Sequence, residues 1–174
     1  MLFNRTLKTL LILIILLSCI SCDQGTKSLA RKHLVQGQTL SYFQDTFRLQ
    51  FMENTGAFLG MGDSLPDNLR FTLFTLLVAA FLLAGLGYLL FSSRTDLQFI
   101  LAATLILGGG VSNLADRIRY DGRVVDFMNV GLGDLRTGIF NVADMCIMGG
   151  TGLLLLFLFR TRGLELKKTM RNKL

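Results

Sequence analysis

Residues Phe71 to Phe91 form 21 consecutive positions without a charge, FTLFTLLVAAFLLAGLGYLLF. A helix of about 20 apolar residues crosses a hydrocarbon core of about 30 Å. Backbone polar groups in that core must be satisfied within the segment, so the run reads as a membrane-spanning helix. Three further apolar blocks point the same way. Leu10 to Cys22 is short for a span and reaches the required length if Thr6 to Thr9 join it, with Lys8 snorkelling towards the headgroups. Leu97 to about Leu114 and about Ile139 to Phe159 complete four spans, at approximately 6–22, 71–91, 97–114 and 139–159. The expected fold is mainly α, one membrane-embedded domain over residues 1–174 with a small β-rich or amphipathic segment between spans 1 and 2. A hydrophobic content of 51%, only 17% charged residues and a mean hydropathy of +0.52 separate this chain from an ordinary soluble domain.

The net charge of +6 raises the question of nucleic acid, and its placement answers it. Four spans put Met1–Lys8, Ser92–Asp96 and Arg160–Leu174 on one side, where about nine Lys or Arg fall in about 28 residues. The other side spreads a similar number over about 70 residues and matches them with acids. Short basic segments stay in the cytoplasm, so both termini are expected there. The tail with Lys167, Lys168, Arg171 and Lys173 is expected to face anionic lipid rather than nucleic acid. The longer segments, about Asp23 to Arg70 and about Asp116 to Gly138, then lie on the outer side. In the first, Ser28 to Leu34 suits a short interfacial helix, and Phe43, Phe47, Leu49, Phe51 and Phe58 suit strand-like stretches. No span carries an obvious extra packing stripe, which favours a monomer.

Two features invite other readings. Arg5 and Lys8 followed by an apolar run and Leu16-Leu17-Ser18-Cys19 resemble a secreted lipoprotein's leader, but three further spans argue against release of the mature chain. Cys19, Cys22 and Cys146 lie in apolar runs, where a thiol behaves as a small hydrophobe, and there is no second Cys pair.

Ionisable groups within or beside a span are costly and are functional candidates by default. Asn113, Asp116 and Arg117 follow three glycines at the end of the third span and share a helical face by their i, i+3, i+4 spacing. Asp126 sits between apolar neighbours in Val124-Val125-Asp126-Phe127, and Asp144 closes Phe140-Asn141-Val142-Ala143-Asp144 ahead of an apolar helix. Two carboxylates brought together and desolvated would share a proton, as an aspartic dyad does. The alternative is that each pairs with Arg117, Arg119 or Arg123 to hold the outer loop, with Asn113 and Asn141 as interhelical hydrogen-bonding groups.

GGGVSNLADR (108–117), GRVVDF (122–127) and FNVAD (140–144), preceded by DQGTK (23–27) and MENTGAFLG (52–60), resemble the ordered motifs of lipoprotein signal peptidase, also called signal peptidase II. The resemblance covers nearly the whole chain. It implies catalytic aspartates at Asp126 and Asp144, and supporting or substrate-binding roles for Asp23, Asn54, Asn113, Asp116, Arg117 and Asn141. It implies hydrolysis of one peptide bond in a bacterial prolipoprotein, just before a cysteine carrying diacylglycerol. It further implies a site at the outer face of the inner membrane and a chemistry that needs no metal and no cofactor. Membrane lipids and diacylglyceryl prolipoproteins are the expected partners. The Phe-rich outer segment, with Phe51 and Phe58, is expected to cover the site as a lid. One departure from the family pattern is Arg136-Thr137-Gly138, where many members have a tryptophan-proline step.

Other classes make different demands. A metal-dependent phospholipid enzyme would use Asp116, Asp126 and Asp144 to hold Mg²⁺. A membrane subunit or small transporter would use the Asp and Arg residues as a relay. Zinc proteolysis and serine hydrolysis are both disfavoured by the lone histidine, His33.

Overall fold

A computed structural model describes residues 4–56, 64–93 and 96–171, the last eight by backbone alone. Four of its helices are long and apolar enough to cross a membrane: Arg5–His33, Asp67–Phe91, Leu97–Arg119 and Val142–Gly163.

Helix α1 (Arg5–His33) is one continuous rod. Its 29 residues extend about 43 Å, well beyond the hydrocarbon core. Lys8, Ile12, Leu16, Cys19, Asp23, Lys27 and Ala30 are buried at steps of three and four residues, so a single face turns inward along the whole length. Three expectations are corrected here. The helix does not stop at Cys22, and Ser28 to His33 are its last turns rather than a separate interfacial helix. Lys8 is only 3% exposed and donates from Nζ to the Ser92 carbonyl at 2.8 Å, so it ties α1 to the turn after the second span rather than reaching for headgroups.

The second span begins earlier than its uncharged run. It is built from α2 (Asp67–Phe71), a π-helical stretch Thr72–Leu77 and α3 (Val78–Phe91). Helix α4 (Leu97–Arg119) lies at the centre. Its three glycines face three different neighbours. A methyl group on Gly108 would meet Cys19 Cβ of α1 at 2.9 Å, one on Gly110 would meet Leu82 Cδ2 of α3 at 2.6 Å, and one on Gly109 would collide with the Ala143 carbonyl of α5 (Val142–Arg171). Small residues let helix backbones close up in lipid, where no hydrophobic effect drives them together. Ile12, Leu16, Leu82, Leu89, Ile100 and Leu107 form the core between α1, α3 and α4. Ile14, Leu17, Phe81, Leu83, Phe91 and Phe159 point outward, as lipid-facing side chains do.

The sheet draws on both segments that join spans on the site's side. Strands β1 (Thr39–Tyr42), β2 (Phe47–Asn54), β3 (Val124–Leu132) and β4 (Leu135–Arg136) run antiparallel in that order. The expected strands at Phe47, Leu49 and Phe51 are thus present, but the sheet is completed by residues between the third and fourth spans. Phe43 lies in the β1–β2 turn with φ 53°, beside Asp45, whose carboxyl the Arg48 guanidinium holds below the usual carboxylate range. Phe51 lies within β2 at the bulge between Leu49 and Met52, with the Arg31 guanidinium 5.9 Å from its ring centre, so it belongs to the sheet framework. Phe58 lies outside the described residues.

Candidate active site

Helix α5 starts with a reciprocal cap. Asn141 Oδ1 accepts from the Asp144 amide at 2.9 Å, and Asp144 Oδ2 accepts from the Asn141 amide at 3.1 Å. An N-cap residue and a residue three positions on can satisfy each other's free N–H groups in this way, so the local sequence orients both side chains. Asn113, one helix away, donates from Nδ2 to Asp144 Oδ1 at 2.9 Å.

Asp126 comes from β3. It is 3% exposed, and its two oxygens accept from Asn54 Nδ2 (3.0 Å) and Asn141 Nδ2 (2.7 Å). Asn54 is itself oriented, because its Oδ1 accepts from the Gly56 amide at 2.9 Å. Burial pushes the Asp126 carboxyl up to about 6. The Asn54 bond opposes this, the neighbouring Asp144 charge adds to it, and the Asn141 bond opposes it again. Asn141 therefore contacts both carboxylates, one through its side chain and the other through its backbone. Each keeps acceptor capacity for a further ligand.

Behind this pair lies a charged layer. Lys27 Nζ sits 2.7 Å from Asp23 Oδ2 and 2.9 Å from Asp116 Oδ2, and donates to Asn113 Oδ1 at 2.8 Å. Lys27, Asp23 and Asp116 are at most 2% exposed. Asp23 also accepts from Ser112 Oγ (2.7 Å) and the Ala143 amide (2.8 Å), while Asp116 accepts from Gln24 Nε2 (2.8 Å) and the Val125 amide (3.1 Å). This layer grips residues next to both carboxylates, Ala143 before Asp144 and Val125 before Asp126.

All eight residues singled out from the sequence lie in or against this network. Asp126 and Asp144 form no ion pair among the described residues, and Asn54, Asn113 and Asn141 supply their hydrogen bonds. Arg123 instead pairs with Glu53 at 2.9 Å, and Arg119 lies 5.6 Å from the Tyr120 ring centre. Arg117 donates to the Gly56 carbonyl at 2.7 Å. Asp116 is committed to Lys27, and among the described residues no group of three His, Cys, Asp or Glu side chains is arranged as metal ligands. Cys19 is buried against Gly108 inside α1. Sequence reasoning missed Lys27, Gln24 and Ser112. For Lys27 a signal existed: it is four residues after Asp23, hence on the same helical face.

The description of signal peptidase (SPase) II fits residues 14–160 of the chain. The chain belongs to the signal peptidase II family. It is 35% identical to a lipoprotein signal peptidase of Pelodictyon phaeoclathratiforme, over 82% of this chain and 86% of that one. A lipoprotein signal peptidase of Clostridium tetani is 34% identical over 90% and 97%. A solved bacterial membrane enzyme at 24% identity shares the fold, with a TM-score of 0.73 over 86% of this chain and 87% of that one. A second shares it at 23% identity and a TM-score of 0.71. Membership in signal peptidase II makes this chain a multi-pass membrane peptidase of lipoprotein processing.

Proposed function

We propose that the chain is an aspartic endopeptidase that removes signal peptides from prolipoproteins, cutting before the diacylglyceryl-modified cysteine. The observation that carries this reading is the shared attachment of Asp126 and Asp144 to Asn141, with Asp126 buried and its carboxyl raised to about 6. A pair of close carboxylates retains one proton between them, and its titration belongs to the pair. The ionised member takes a proton from water as the water oxygen bonds to the scissile carbonyl carbon. The protonated member donates to the carbonyl oxygen. The C–N bond of the resulting tetrahedral adduct then breaks as a proton passes to the leaving nitrogen, which releases an acid and an amine.

Asn54, Asn113 and Asn141 orient the carboxylates, and the Asp23–Lys27–Asp116 layer fixes the segments that carry them. Arg117 holds the Gly56 carbonyl and with it the turn that aims Asn54. The site would open to the outer side of the bacterial inner membrane, with both termini cytoplasmic and the chain acting as a monomer.

Cleavage of a diacylglyceryl prolipoprotein by purified protein, compared with Asp126→Asn and Asp144→Asn and with and without EDTA, tests the reading. Loss in both variants with indifference to EDTA is expected. Persistent cleavage in either variant would remove that residue from the chemistry, and inhibition by EDTA would favour a metal enzyme.

A further inference from the structure

Asn54, which bonds Asp126, is the last residue of β2, and only a short piece of ladder holds it there. The β2–β3 pairing is interrupted by a bulge between Leu49 and Met52. Beyond it Met52 pairs with Asp126, Glu53 with Val125 and Asn54 with Val124. Asn54 and Asp126 are therefore diagonal neighbours on one face of this piece. The opposite face carries a second diagonal pair. Arg123, the residue before β3, donates from Nη1 to Glu53 Oε2 at 2.9 Å.

Glu53 is gripped by a second arginine as well. Arg31, in the last turn of α1, donates from Nη2 to Glu53 Oε1 at 2.9 Å, so each carboxylate oxygen has its own guanidinium. Arg31 is itself stacked on Tyr120, with its guanidinium carbon 3.8 Å from the ring centre. Tyr120 closes α4, so the clamp ties the end of β2 to α1, to the end of α4 and to the start of β3. The Glu53 side chain is 24% exposed and that of Arg123 52%, where an ion pair adds little to stability. Its effect on geometry is larger. A slip of one residue between β2 and β3 would send each side chain to the other face and break both diagonal pairs together.

We infer that Glu53 is a positioning residue for the carboxylate pair: the Arg31–Glu53–Arg123 clamp fixes the end of β2 so that the Asn54 amide meets Asp126. The inference rests on the proposed function and adds residues that act on the site from the opposite face of the ladder. Glu53 spends its hydrogen bonds on the two arginines and acts on Asp126 through the backbone it shares with Asn54. Gly56 and Arg117 set the Asn54 side chain from the turn that follows. The clamp sets the strand that carries it.

The test compares cleavage of a diacylglyceryl prolipoprotein by wild type and by Glu53→Gln, which keeps the shape and removes the charge. Glu53→Gln is expected to lower kcat about tenfold, because a small displacement of an orienting group is costly in rate. KM and the unfolding temperature should stay at their wild-type values. Raising the ionic strength should lower the wild-type kcat by screening the clamp and leave that of Glu53→Gln unchanged. Arg123→Gln, at the more exposed position, should repeat this pattern with a smaller loss. An unchanged kcat in Glu53→Gln would overturn the assignment. So would a loss expressed in KM, or one matched by a lower unfolding temperature, which marks a brace of the fold alone. With an active wild type these outcomes leave the peptidase reading standing. Failure of wild type to cut would remove that reading, and this inference with it.

Discussion

Asn141 and Asp144 cap each other across the first turn of α5, with hydrogen bonds of 2.9 and 3.1 Å in opposite directions. The same Asn141 reaches Asp126 at 2.7 Å, so the start of one helix sets the geometry of two carboxylates from different elements. Asn141→Ala is therefore expected to cost about 1 kcal/mol of stability through the lost cap. It should cost about a hundredfold in kcat, since small misplacement of a reacting group has effects of that size. Thermal unfolding in detergent and turnover of a lipidated peptide measure the two. A variant losing stability but retaining full kcat would show that Asn141 is only a helix cap.

Lys27 is held between Asp23 and Asp116 with almost no exposure. Lys27→Met would leave two buried carboxylates without their cation, an expected loss of about 3–5 kcal/mol. Asp23→Asn with Lys27→Met should be less damaging than the two single losses added together, because the second change removes a charge the first had orphaned. Strict additivity in a double-mutant cycle would contradict the pairing.

The raised carboxyl of Asp126 makes stability depend on pH. Its folded value, about 6, lies above the ordinary 3.8, so the folded protein binds the proton more tightly than the unfolded chain. Stability from this group is fully present below about pH 4 and is lost as pH rises through about 6. Lowering the pH from 7 to 5 should raise the melting temperature of wild type. Asp126→Asn should lack that rise, and an identical rise in the variant would assign it to other groups.

Gly109 and Gly152 offer a contrast between two glycines in spans. A Cβ at Gly109 would run into the Ala143 backbone carbonyl, next to Asp144, whereas one at Gly152 meets nothing within 4 Å. Backbone cannot swing aside as the end of a side chain can. Gly109→Ala is expected to abolish most cleavage by displacing the start of α5, and Gly152→Ala to leave it at the wild-type level. Equal activity of both variants would mean that α4 and α5 tolerate separation at this point.

The four spans were legible because lipid imposes a simple rule: about 20 uncharged residues in a row satisfy their own backbone. The polar motifs were equally visible, since Asp126 and Asp144 interrupt apolar surroundings and Asn113, Asp116 and Arg117 end a span. Helix ends were less clear. The first span was expected to end near Cys22, yet α1 continues past Asp23 and Lys27, and each finds a buried partner on α4. A charge that leaves water is stable only against a counter-charge: Asp23 and Lys27 answer each other one turn apart, but the second acid that holds Lys27, Asp116, lies 89 positions away.

By itself, then, the sequence determined that the chain crosses a membrane four times and which acidic and amide side chains have business at one of its surfaces. Tertiary structure alone decided how they are shared: β3 and α5 meeting at Asn141, Arg117 reaching the Gly56 carbonyl, and Lys27 held between Asp23 and Asp116. Helical periodicity tells which residues share a face. Only packing between helices, set here by glycines that admit three different neighbours to α4, tells what that face meets.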